Sequence, residues 1–492
     1  MKRFWLILLS LGLVMVFSVS AFAVDIKVGA EYYVGGVYLN KISVDNGFEG
    51  WDGNRGSENP STAFFFQRLR VGTDFVVSPC LKLVTQLDAM ERIWGGERSD
   101  VDVPDARGAG TRAEAENISI RKVYIDYTSP VGLFKVGYME DYVFGTVFAD
   151  RGNGPTVGQI QYYFQKGPFT AFVGYAKEVE NNYSATHTGG PFDSTITDRD
   201  ADSYRIAGIY NFQGGEAGAL FLWNRDARAR DFLFFPYKSN VYVIDPYVKA
   251  KIGPVNIQAE LQYWFGDAMK FEEYPGGGMP WMANVSISAL SVFVDATANF
   301  GMFNVGATAA YLSGADPGTT DKLEGSGRPF AVNTGGLDWN PCLILFNTDL
   351  NYWAGNINGH GHTLNPFLSN ETVVNGEMSN AWFFQGRVGV KPTPQLDVQL
   401  AISFAQADKK PANYYDPVMG FWGYSETQPG GTYGTEVDVT GTYKITNNLT
   451  YMLGVGYLFT GDYFKGINYD FGAGGSKVDD DFIVINKLIL NF

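Results

Sequence analysis

The sequence predicts an all-β protein, a transmembrane antiparallel up-and-down β-barrel of about 18 strands. Two patterns carry the prediction: apolar and polar residues alternate at period two, and short turns alternate with long polar segments. A third observation is compositional. The 492 residues include 29 Tyr, 37 Phe, 10 Trp and 59 Gly, yet after residue 23 no apolar run reaches the roughly 18 residues that a membrane helix needs. This texture is even from residue 24 to residue 492, so the chain reads as one closed sheet rather than several domains.

Residues 1–23 combine a basic start (Lys2, Arg3), an apolar core and the small-x-small ending Ala21-Phe22-Ala23. That is a secretory signal peptide, and residues 24–492 are expected to form the barrel. No cysteine follows the cleavage site, which argues against a lipoprotein anchor.

The alternation is clearest in PVNIQAELQYWFGDA, where Val255, Ile257, Ala259, Leu261, Tyr263 and Phe265 take one face and Asn256, Gln258, Glu260 and Gln262 the other. LTYMLGVGYLF, QLDVQLAISF and EVDVTGTYKI repeat it. A membrane barrel requires this pattern, because lipid meets one face and a watery lumen the other. Short turns are expected at SPCL (78–81), SPVG (129–132), KGPF (166–169), QGGE (213–216), GPVN (253–256), NFGM (299–302), PTPQ (392–395) and TNNL (446–449). Gly, Pro and Asn there supply the backbone angles of tight hairpins. Longer polar segments lie between them, at 96–116, 178–201, 408–432 and 461–480. Eight turns and nine loops join an even number of strands and put both termini on one side, whereas a sandwich or propeller needs no such asymmetry.

The last strand, DDFIVINKLILNF, sets Phe482, Val484, Leu488, Leu490 and Phe492 against Lys487 and Asn491. An amphipathic strand ending in Phe resembles the C-terminus of the outer-membrane porins of Gram-negative bacteria. More narrowly, NNLTYMLGVGYLFTGDYF and FFFQRLRVGTDFVV look like hairpins of alginate-export-type barrels. The resemblance implies passive transport through the outer membrane, with lipid and lipopolysaccharide around the barrel. It also implies that Phe492 serves as an assembly signal for the barrel-assembly machinery, with a homotrimer as a common assembly. It carries over no solute-binding residue.

If the apolar faces meet lipid, the other faces line a pore. The expected pore-lining residues are Arg68, Arg70 and Asp74 on the second strand and Lys82, Gln86, Asp88 and Arg92 on the third. Arg205, Lys249, Glu260, Asp295, Arg387, Asp397 and Lys444 join them from later strands. Facing charges of both signs orient charged solutes, or simply make a hydrated wall. The Arg68/Arg70 pair has the guanidinium forks that bind carboxylates or phosphates. The function expected is passive diffusion of small polar or charged solutes, including anionic ones. The alternatives are export of an alginate-like polysaccharide, which wants a continuously basic lumen, and a sheath for a partner protein.

Residues 313–378 are far longer than the other loops and contain the aromatic stretch GLDWNPCLILFNTDLNYWAGNINGHGH. They are expected either to narrow the pore or to cap its mouth. His360 and His362, with Asp338 or Glu377, are a weak metal pattern, and no metal site is expected there. Asp198, Asp200 and Asp202, like 479–481, suit either a divalent ion or a solvated rim. Cys80 falls in a predicted turn and Cys342 in a predicted external loop, too far apart to bridge, so both are expected free. His187 and the other two histidines all fall in loops with no barrel serine beside them, so catalysis is not expected. No cofactor is called for, since the chain lacks a C-x-x-C-H haem motif. A formal net charge of −15 argues against nucleic acid.

Overall fold

The computed structural model describes residues 24–44, 61–95, 118–141, 143–150, 154–181, 198–231, 236–272, 283–316, 319, 321–325, 333–359, 372–410, 414–416, 421–423, 430–464 and 478–492. The signal segment 1–23 and all three histidines lie outside them.

Period-two patterning produces eighteen long strands. They are β1 (Asp25–Leu39), β2 (Thr62–Ser78), β3 (Leu81–Ile93), β4 (Ile118–Ser129), β5 (Gly132–Glu140), β6 (Thr156–Lys166), β7 (Phe169–Val179), β8 (Ala201–Phe212) and β9 (Gly215–Asp226). They continue as β10 (Tyr237–Ile252), β11 (Val255–Phe271), β12 (Val285–Phe300), β13 (Phe303–Leu312), β14 (Ala381–Val390), β15 (Leu396–Ala407), β16 (Thr432–Lys444), β17 (Leu449–Thr460) and β18 (Asp481–Asn491). Each pairs antiparallel with its neighbours in sequence, and β1 pairs with β18 in the register Glu31↔Asn491 through Leu39↔Ile483. The sheet is therefore a closed cylinder with no open edge, which satisfies the strands' backbone groups without water. A two-residue strand, Lys322–Leu323, adds parallel to β12.

All eight predicted short turns fall between paired strands. In three of them Gly167, Gly253 and Gly301 sit at φ near +60°, an angle that side-chain-bearing residues adopt only with strain. The longer connections leave and re-enter the sheet at the other end of the cylinder.

The two faces of the sheet differ as the alternation demands. On β11, Leu261 and Tyr263 are exposed while Glu260 and Gln262 are buried. On β15, Leu400, Ile402 and Phe404 face out and Ala401, Ser403 and Ala405 face in, and β17 presents Tyr451, Leu453, Val455, Tyr457 and Phe459 outward. Apolar side chains that a water-soluble protein would bury thus form the outer surface of a membrane-spanning barrel. Among the described residues no helix is long and apolar enough to cross a membrane. Phe492 lies on this outer face, 64% exposed, and its backbone exchanges hydrogen bonds with Ala30 of β1 (2.7 and 3.0 Å).

One irregularity changes a face. Met90 takes φ 53° in β3, and the pairing with β2 slips between Gln67 and Leu69. Beyond this bulge Arg92 pairs with Gln67 and Ile93 with the buried Phe66. Arg92 therefore shares the outward side with Gln67, and Glu91 takes the inward position beside Arg68.

Candidate functional site

Among the described residues, connecting segments as well as the strands' inward faces fill the inside of the cylinder, and two of these segments stand out. The larger lies within residues 333–359. Its backbone turns at Leu343, Ile344 and Leu345 because the inward carboxylates of β16 collect their N–H groups. Ile344 and Leu345 donate to Glu436 at 2.7 and 2.8 Å, and Leu343 donates to Asp438 at 3.3 Å. Gln385 of β14 donates to the Pro341 carbonyl at 2.6 Å. A short helix, α1 (Thr348–Ala354), follows, with the Asn347 side chain accepting from the Leu350 N–H as its N-cap. The helix sets Trp353 against Phe66 of β2, ring centroids 4.5 Å apart, and edge-on to Tyr33 of β1. It also holds Asp349 3.0 Å from Lys487 of β18. Trp339, Ile344, Leu345, Phe346 and Trp353 pack with Phe293, Phe383, Ile483 and Ile485 into an apolar core inside the barrel.

The second segment is the β5–β6 connection, and the sequence reading passed over it. Glu260 of β11, 2% exposed, accepts the backbone N–H groups of Thr146, Val147, Phe148 and Ala149 at 2.5, 2.6, 3.0 and 3.0 Å, with the Thr146 hydroxyl as a fifth donor. Arg205 of β8, also buried, donates to both the carbonyl and the carboxylate of Asp141. Phe144 packs edge-on to Tyr247, and Phe148 reaches Trp339, so the two segments touch. The signal was the stretch DYVFGTVFAD, two Phe, two Val and a Tyr in a connection that ought to be solvated.

The predicted lining residues separate accordingly. Glu260 and Arg205 face inward, but they grip the β5–β6 connection. Arg387 pairs with Asp295, with Thr308 bridging them. Lys249 lies 3.5 Å from Glu216 and Asp397 3.0 Å from Lys391, both pairs well exposed. Lys444 is exposed at the β16–β17 turn.

The remaining residues form a continuous charged wall on β2–β4. Arg70 binds Asp88 bidentately at 2.7 and 2.8 Å, and Arg121 approaches the same carboxylate at 3.8 Å. Arg68 sits between Glu31 and Glu91, 3.6 Å from each. Lys82 bridges Asp74 (3.1 Å) and Asp126 (3.9 Å), and Lys122 pairs with Glu140. Gln86 pairs in register with Lys122 on this wall. Arg68, Arg70 and Lys82 each have an acidic partner, so the wall is a mosaic of ion pairs and not a basic track.

The acidic clusters at the rim are also matched. Asp198 pairs with Arg225 and Arg230, and Asp200 and Asp202 both meet Lys177. Asp479 pairs with Lys41, and Asp480 accepts from Tyr457 and Thr460. These acids pair with cations and hydrogen-bond donors of the neighbouring strands and connections. Cys80 is free and exposed, and Cys342 is free but buried inside the barrel instead of lying on an external loop. Burial, and after it the Glu436 and Asp438 carboxylates, push its thiol well above the usual range.

Closed cylinder, short turns at one end, long connections at the other and an apolar exterior together define the outer-membrane type of β-barrel. No family model and no curated protein matches the chain. Among solved structures it is similar to Pseudomonas aeruginosa OccK2 (OpdF) in complex with glucuronate, at 11% identity and TM-score 0.47, covering 95% of this chain and 97% of that one. A BenF-like porin from Pseudomonas fluorescens Pf-5 gives 10% identity and TM-score 0.47 over 96% and 100%. An anion-selective porin from Comamonas acidovorans gives 12% and 0.41 over 95% and 99%. Likenesses this distant say nothing about the solute.

Proposed function

We propose that the protein is an outer-membrane diffusion porin in which residues 333–359 and the β5–β6 connection narrow the lumen, and small polar solutes pass along the wall of β2–β4. The observation that carries this reading is the contrast within the lumen. The inward faces of β12, β14, β16 and β18 are covered by packed side chains, whereas on β2 and β3 the Lys82–Asp74 pair stays part-exposed, at 36% and 34%, although Asp88 beside Arg70 is buried. A wall of paired charges offers hydrogen-bonding groups of both kinds at close spacing. It therefore favours hydrated, polar solutes over apolar ones while giving little net preference for charge. Export of an acidic polysaccharide is less well served, because Asp74, Asp88, Asp126 and Glu91 interrupt any basic path.

The test is purified protein in a planar lipid bilayer under a salt gradient. Discrete conductance steps with a reversal potential near zero are expected. Silence from folded, heat-modifiable protein would contradict the porin reading, and a reversal potential close to the Nernst value of one ion would contradict the balanced wall.

A further inference from the structure

Two acids are buried side by side where residues 333–359 meet β16. Glu436 is 0% and Asp438 4% exposed, and neither has a Lys or Arg partner among the described residues. Removing two like charges from water without a counter-charge is costly, and something positive must offset it. The Cys342 sulfur completes the group: one ligand atom from each of the three residues lies within 4.8 Å of the others. A second observation points the same way. Asp438 Oδ1 is fully buried and has no hydrogen-bond partner. Room is kept for it by Gly456 of β17, where a Cβ would come within 2.5 Å of that oxygen. The Leu343, Ile344 and Leu345 N–H groups meanwhile fix the carboxylates' orientation, as outer-shell donors do around a metal.

We propose that Cys342, Glu436 and Asp438 bind one divalent transition-metal cation, Zn2+ by its taste for mixed thiolate and carboxylate ligands, which staples residues 333–359 to the barrel wall. Zinc–oxygen and zinc–sulfur bonds of about 2.0–2.3 Å are reached from this arrangement by a small contraction of the three ligands. Binding releases the thiol proton to solvent, and the cation offsets two of the three negative charges that the thiolate and the two carboxylates then carry, the third being stabilised by the backbone N–H groups of Leu343, Ile344 and Leu345. One thiolate and two carboxylates leave the fourth tetrahedral position for water, and the cation's role here is to hold residues 333–359 to β16.

Full-length protein carrying Cys80→Ser, so that Cys342 is the only thiol, is stripped with a chelator and titrated with Co2+. One equivalent is expected, with a near-ultraviolet sulfur-to-cobalt band that Zn2+ abolishes by displacement and that disappears in a further Cys342→Ser variant. Uptake without that band, or equal uptake in the Cys342→Ser variant, would overturn the proposal and leave a proton shared between the acids as the neutralising charge. Should that variant fail to fold, the parent decides instead: one equivalent of Zn2+ is expected to raise its midpoint of denaturant unfolding, and an unchanged midpoint would overturn the site.

Discussion

The two sides of the lumen solve opposite problems with the same kind of residue. On β11 and β16, the inward acids Glu260 and Glu436 are buried and collect backbone N–H groups from segments folded against them. On β2–β4, the acids Asp74 and Asp126 stay part-exposed beside Lys82 and collect side-chain cations. A carboxylate facing an apolar segment becomes an anchor for backbone, and one facing water becomes half of an ion pair. Sequence position alone does not separate these roles; what covers the residue does.

Trp353→Ala attacks the covered side hardest. It removes the stacked contact with Phe66, and a buried aromatic truncation of this kind costs about 3–5 kcal/mol. The expected readouts are a lower midpoint of denaturant unfolding and a larger, noisier single-channel conductance. Glu260→Gln comes next. It puts an amide N–H₂ among N–H donors and leaves buried groups unpaired, a loss of about 2–4 kcal/mol. Limited proteolysis should then cut within 143–150, which the wild type protects. Arg70→Ala sharpens the open side. The barrel is expected to stay folded, but Asp88 loses its bidentate partner, and the reversal potential in a salt gradient should move toward cation preference. Asp349→Asn has the smallest effect: the Lys487 pair is partly exposed, worth about 0.2–1 kcal/mol, and conductance should be nearly unchanged.

Most of the barrel was legible, because period-two alternation and turn chemistry are local and the strands obey them. The eight turns, the outward apolar sets of β11, β15, β16 and β17 and the direction of the last strand all follow from the residues themselves. The aromatic stretch within 313–378 likewise marked a segment unsuited to water. What escaped was set by non-local events. The Met90 bulge reverses the alternation on β3 and turns Arg92 outward. Glu260 looks in sequence like any inward polar residue of a strand; its role depends on a connection more than a hundred residues away. Cys342 was placed outside because loops of such barrels normally are outside, yet the apolar run CLILF around it is better buried.

Replacing residues 337–356 by a short Gly-Ser linker and recording single channels asks whether the covered side narrows the pore. A conductance severalfold above the wild type, from protein that still shows heat-modifiable mobility, is the outcome expected of a constriction. Unchanged conductance from an equally well-folded barrel would contradict it and put the narrowest point of the path elsewhere.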